Sequence, residues 1–253
     1  MTPYNAQYKF FTGHYILTHC RGDTMNLNSN EKCARIIKNL NALDNLMSYI
    51  NYNYDVLTTL YETREENIDD VEYTNISCAL NNFILTSSIL KQHIKSFEKD
   101  LDESFLKTKK YKKIKTELFE NEWYLILLGL RNYLQHIFQL KLGFGNLLSE
   151  DGEGEDLFIL GFTLIHHEDL HQNKRENVAV QEFFKYCYAL PIMPFADENM
   201  ILMDMFHKQY DKLIHEHYKA EFEKYHENQE VDQYAMDMHD IYLNNLYSFR
   251  DKK

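Results

Sequence analysis

The chain has 253 residues, 44% of them hydrophobic and 26% charged, with a net charge of −12. That composition belongs to a folded globular chain, and its acidic balance argues against broad, sequence-independent duplex binding through phosphate contacts. Eight glycines and three prolines are too few for the many tight turns of an all-β fold, so long helices are expected.

No apolar run approaches the length that spans a bilayer, so no membrane association is expected. The apolar piece Phe10, Phe11, Tyr15, Ile16 and Leu17 is interrupted or flanked by His14 and His19 and precedes no small-residue cleavage site. A soluble, cytoplasmic protein is the expectation. Cys20, Cys33, Cys78 and Cys187 are widely spaced with no CxxC pair, which reads as reduced thiols rather than a zinc knuckle or disulfide framework.

In chain order, residues 1–30 read as an N-terminal arm with a short extended piece around Phe10–Leu17. A helix starts near Ser29, where Asn28, Ser29 and Asn30 offer caps, and Ile36, Leu40, Leu43, Leu46, Met47 and Ile50 follow at helical spacing. Its pattern continues to Tyr61, before the acidic run 62–70. A second helix spans roughly 70–106, with Ile76, Leu80, Phe83, Ile84, Leu90, Ile94 and Phe97 as its core face. These lengths and spacings suit an antiparallel bundle.

Residues 107–115 hold Lys107, Lys109, Lys110, Lys112, Lys113 and Lys115, the strongest cationic cluster in an acidic chain. A lysine run is ordinarily a solvated face, but this one is also a candidate phosphate-contacting patch. A central helix is then predicted from about Thr116 to Phe138. It is nearly unbroken in apolar residues from Trp123 to Leu130, then polar at Arg131, Asn132, Gln135 and His136. A helix apolar on all sides belongs at the centre of a bundle, and an arginine and histidine there need partners or a task.

Beyond it, two apolar stretches, 139–148 and 157–165, flank SEDGEGED, whose Gly152 and Gly154 permit a turn, so 139–166 reads as a β-hairpin. Helical patterning resumes around 175–188, is broken by Pro191 and Pro194, and continues from about 197 to 225 and from 231 to 249. There is no internal repeat and no clear linker. The expected architecture is mainly α, one domain over 1–253, an antiparallel helical bundle with a small β-hairpin after the central helix.

Within the central helix, Asn132 and His136 are four apart and share a face, and Gly129 one turn earlier leaves room for another backbone. Arg131 lies about 100° around the helix from Asn132 and about 140° from His136. One ideal helix therefore does not gather Arg131 and His136; a distortion or a second copy of the helix is required.

The stretch from Leu130 to His136, LRNYLQH, resembles the signature of the HEPN superfamily (higher eukaryotes and prokaryotes nucleotide-binding): an arginine, a polar residue, then a histidine, late in a helical bundle. The resemblance implies an all-α domain that forms a homodimer through the motif helix. It further implies a metal-independent endoribonuclease of the toxin–antitoxin or phage-defence kind, acting on RNA and needing no cofactor. In that reading His136 is the acid/base, Arg131 supports the charge developing on phosphate, and Asn132 positions the backbone or the imidazole. The residue types suit the task. Only histidine supplies a near-neutral proton carrier unperturbed, and arginine offers a planar, bidentate cation. An antitoxin or a nucleotidyltransferase is the implied partner. Some members carry a tyrosine two residues past the histidine that such a partner modifies; here that position is Phe138, which puts this route in doubt. The competing reading keeps the same helix as a non-catalytic dimerisation, nucleotide-binding or RNA-binding module.

His167, Glu168 and His171 match H-E-x-x-H, in which two histidines bind zinc and the glutamate activates water. Asp169 between them and the polar residues that follow fit that motif poorly, so a zinc hydrolase is the lesser alternative. His215 and His217 fall on different sides of a helix and read as solvated or core-edge residues. Gly143-x-Gly145 is too short for a phosphate loop and lacks its lysine, and no GxSxG elbow is present.

Overall fold

The structure, a computed structural model, describes residues 29–64, 68–137, 139–149, 152–161, 164 and 174–228. The helices are α1 (Ser29–Glu62), α2 (Asp70–Phe97), α3 (Glu103–Leu106), α4 (Lys109–Phe119), α5 (Glu122–Ile137), α6 (Arg175–Tyr186), α7 (Ile192–His217) and α8 (Lys219–Asn228). The strands are β1 (Leu142–Ser149), β2 (Gly152–Leu160) and β3 (Ala189–Pro191). The mainly helical architecture with a small antiparallel sheet after the central helix is as the sequence predicts.

Helix α1 buries Ile36, Leu40, Leu43, Met47, Ile50 and Leu57, a near-heptad stripe that faces the bundle along its whole length. Helix α2 starts where Asp69 accepts hydrogen bonds from the Val71 and Glu72 N–H groups, and it buries all seven of its predicted core residues. Asn53 donates to Thr86 and Asn39 to Asp100, which sets α1 and α2 antiparallel. Tyr124 donates to the Ser87 carbonyl and Gln139 to Ser77, so α5 runs against α2. Tyr54 donates to Asp197, and His207 sits 2.8 Å from Asp44, so α7 runs against α1. The four helices α1, α2, α5 and α7 thus close an up-down-up-down ring around one core.

Several boundaries differ from expectation for local reasons. The second helix ends at Phe97 and gives way to a 3₁₀ turn (Glu98–Asp100) and the short α3, so it does not run on to 106. The central helix starts at Glu122. Glu120 and Asn121 break it from α4, and the Asn121 side chain accepts the Trp123 N–H as a cap. Pro194 lies in the first turn of α7, where the N–H it lacks would have no intrahelical partner, so α7 begins at Ile192 rather than near 197. Tyr218 separates α7 from α8.

The hairpin pairs β1 with β2 from Leu142↔Ile159 to Ser149↔Gly152, so Gly152 and Gly154 lie in β2 rather than in the turn. A third strand, β3, adds to the far side of β2 and runs directly into α7. Its three residues are too short to read from periodicity. The sheet sits at the end of the bundle where α5 finishes and α2 begins: the Tyr73 hydroxyl accepts from the Leu142 N–H (2.9 Å) and donates to its carbonyl (3.1 Å). The N-terminal arm, Phe138, His167–His171 and the 231–249 helix lie outside the described residues.

Candidate functional site

Tyr124, Ile126, Leu127 and Leu130 of α5 are fully buried, and Leu125, Leu128, Tyr133 and Leu134 nearly so. The helix packs against α2, α6 and α7, which accounts for its apolar circumference. Its polar residues emerge only in the last two turns, beside the sheet. Arg131 and Asn132 are half-buried there, and Gln135 and His136 are exposed.

Helix α6 decides which side of this end stays open. A Cβ at Gly129 would lie 2.3 Å from Val180 Cγ2 and 2.5 Å from the Glu176 carbonyl oxygen. The close backbone that Gly129 admits is therefore α6 of the same chain. One turn on, Asn132 donates to Asn177 (2.9 Å), which is itself buried. Arg175 pairs with Glu120 (3.2 Å) and Glu176 with Lys91 on α2 (2.6 Å), so α6 is tied at several points. Burial alone would raise the Glu176 carboxyl. The Lys91 hydrogen bond and neighbouring positive charge outweigh it and hold the group below its ordinary range.

On the other side, Arg131 Nη1 donates to Gln135 Oε1 (2.9 Å) and more loosely to Asn132 Oδ1 (3.3 Å). The guanidinium is thus steered along its own helix by a residue the sequence reading left without a role. The signal was there: Gln135 stands four residues after Arg131, on the same face. Arg131, Gln135 and His136 end an otherwise apolar helix, and within one chain the residues on offer are a cation held by Gln135 and an exposed imidazole about 140° further round the helix.

The lysine cluster lies elsewhere. Lys110 is 4.0 Å from Glu216 near the end of α7, Tyr111 packs on Tyr210, and Trp123 packs on Phe195 near the start of α7. So α4 and α5 run one after the other along α7, and the lysines sit about 30 Å from Arg131 by helical rise. Lys107 pairs with Glu103 and Lys113 with Glu117 along their own helices, and Lys115 pairs with Glu98. Lys109 and Lys112 have no ion pair among the described residues.

His215 is paired with Asp211 and packs on Phe222, while His217 packs edge-on against Phe105 and Tyr218, as expected of helix-edge histidines. Among the described residues no cluster of three or more His, Cys, Asp or Glu side chains could hold a metal ion, and no helix is long and apolar enough to cross a membrane. Compared with family models, with curated proteins and with solved structures, the chain matches none.

Proposed function

We propose that this protein is a HEPN-like, metal-independent endoribonuclease whose site is the open end of α5. One observation carries the reading: a helix buried on all sides turns polar only in its last two turns, where Arg131 is half-buried and His136 exposed, about 140° apart around the axis. The ribose 2′-hydroxyl of the RNA attacks the adjacent phosphate, giving a 2′,3′-cyclic phosphate and a free 5′-hydroxyl. His136 carries a proton in that exchange, and Arg131 opposes the charge that builds on the phosphate oxygens. Asn132 acts as a positioning residue through its bond to α6. Because α6 covers the Gly129 and Asn132 side, a partner copy in a homodimer would meet α5 through Arg131 and Gln135, with the exposed His136 at the edge of that contact.

The test is cleavage of single-stranded RNA in EDTA. Cleavage that leaves 2′,3′-cyclic ends and disappears in Arg131→Ala and His136→Ala, each with an unchanged circular dichroism spectrum, supports the reading. Full activity in both variants contradicts it.

A second reading, a non-catalytic dimerisation or binding module, is favoured by the bonds that hold the Arg131 guanidinium to Gln135 and Asn132 within the chain. It predicts intact RNA, with Arg131→Ala weakening assembly or ligand binding. The lesser zinc hydrolase reading of His167, Glu168 and His171 predicts stoichiometric zinc in the purified protein.

A further inference from the structure

The described arginines differ in what holds them. Arg35 lies 3.3 Å from Asp100 and Arg175 3.2 Å from Glu120, while Arg64 stacks over the Tyr61 ring and donates to its carbonyl. Arg131 is half-buried, yet among the described residues no carboxylate lies within ion-pair distance of it. Its two hydrogen bonds go to neutral amide oxygens, Gln135 Oε1 and Asn132 Oδ1. The chain has 39 Asp and Glu against 27 Lys and Arg, so acids to pair with are not scarce.

A carboxylate partner would orient the guanidinium and cancel its charge at once. An amide oxygen orients it and leaves the charge in place. Both bonds are made by Nη1, and among the described residues Nε and Nη2 make none. The N–H groups of Nε and Nη2 are parallel, which is the edge that grips two oxygens of one phosphate.

Asn132 accepts from Arg131 only when its amide is turned one way. An arginine has donors only, so the amide atom that faces it must be the oxygen. The NH2 end then needs an acceptor of its own, and Asn177 Oδ1 supplies one at 2.9 Å. Asn177 is 1% exposed on α6. That helix is fixed by the Lys91–Glu176 and Arg175–Glu120 pairs and by its contact at Gly129. The guanidinium is thus set from inside the bundle through Asn177 and Asn132, and from the surface by Gln135. The bond to Asn132, at 3.3 Å, is the longer, so Gln135 carries more of the hold.

We propose that Gln135 and Asn177 are positioning residues, which hold Arg131 ready for one phosphate diester of a nucleic-acid strand without neutralising it. The class of ligand rests on the ribonuclease reading. The hold on Arg131 does not, and neither requires that the strand be cut.

Fluorescence anisotropy with a labelled 2′-O-methyl single-stranded RNA, which has no 2′-hydroxyl to attack, separates binding from cleavage. Gln135→Glu puts a carboxylate four residues from Arg131, so it should capture the guanidinium and weaken binding about tenfold, with thermal stability kept. Asn51→Glu adds the same charge at an exposed position on α1, across the bundle, and should change the Kd by less than about twofold. Asn177→Ala should weaken binding about threefold. The Arg131 Nη groups should also give separate NMR signals in the unchanged chain that merge in Asn177→Ala. A merely structural Asn177 would change stability and neither of these; Asn177→Leu, closer in volume, replaces the alanine variant if that one does not fold. An unchanged chain that does not bind this RNA overturns the proposal. So does Gln135→Glu binding no worse than Asn51→Glu, or an Asn177 variant with the Kd and the Nη signals unaltered. An unchanged chain that binds this RNA, with the variants as expected, but leaves ordinary RNA whole keeps the proposal and ends the ribonuclease reading alone.

Discussion

The two ends of the bundle use their polar groups in opposite ways. At the end formed by α3, α4 and the close of α7, exposed lysines overlie a set of polar groups that bond one another within the packing. Glu98 takes hydrogen bonds from both Tyr111 and Lys115, and Tyr218 accepts the Asp102 N–H. Asp102 also pairs with Lys32, whose hydrogen bond is the chief cause of its lowered carboxyl pKa. Burial, reinforced by Glu98, pushes the Tyr111 and Tyr210 phenols far above their ordinary range, so both stay neutral. At the sheet end, Gln135 and His136 are exposed, Arg131 is half-buried, and among the described residues no strand lies beyond β1. One end packs its aromatic residues around hydrogen-bonded polar groups beneath a coat of exposed lysines, and the other ends the central helix in exposed polar residues, which is where the proposed function is placed.

This contrast predicts a graded set of effects. Truncating a sealed-end residue should cost most: Phe97→Ala, fully buried against His93 and Tyr210, is expected to lose about 4 kcal/mol in urea denaturation. Gly129→Val drives a side chain into the α6 backbone and should lose about 2 kcal/mol or more. Trp123, whose ring centroid lies 6.3 Å from that of Phe183 on α6, should report the displacement in its fluorescence.

Smaller effects sharpen the picture. Asp69→Ala removes the α2 cap and should cost about 1 kcal/mol. The Glu176 carboxyl titrates below its ordinary value of 4.5, so its contribution is complete above that pH and is lost as the pH falls through its lower folded value. Glu176→Gln should remove that part of the acid dependence. Changing an exposed residue should cost little: His136→Ala is expected to fall within about 0.5 kcal/mol of the unchanged protein. Tyr210→Phe should be neutral or slightly stabilising, because among the described residues that buried hydroxyl has no hydrogen-bond partner. A large loss for His136→Ala would erase the difference between the two ends.

Periodicity carried most of the fold. The α2 core residues were readable because seven apolar positions keep one face, and α5 was readable as central because it has no polar face until Arg131. Breaks were less legible. The step between α4 and α5 depends on Asn121 capping a new helix, and nothing in the apolar pattern marks it. Gly129 signalled a close backbone, but a sequence does not say whose; the structure assigns α6 rather than a second α5. Gln135 was visible as a polar position, yet its hold on Arg131 is a side-chain geometry that spacing only permits. The lysine run was legible as charge, whereas the carboxylates that pair with four of its six members come from residues 98, 103, 117 and 216.

The measurement that bears most directly on the account is the fate of a labelled single-stranded RNA incubated in EDTA with the unchanged chain and with His136→Ala of matched stability. The account predicts fragments with 2′,3′-cyclic ends from the first and none from the second. Equal cleavage by both, or RNA left whole by the unchanged chain, would contradict it.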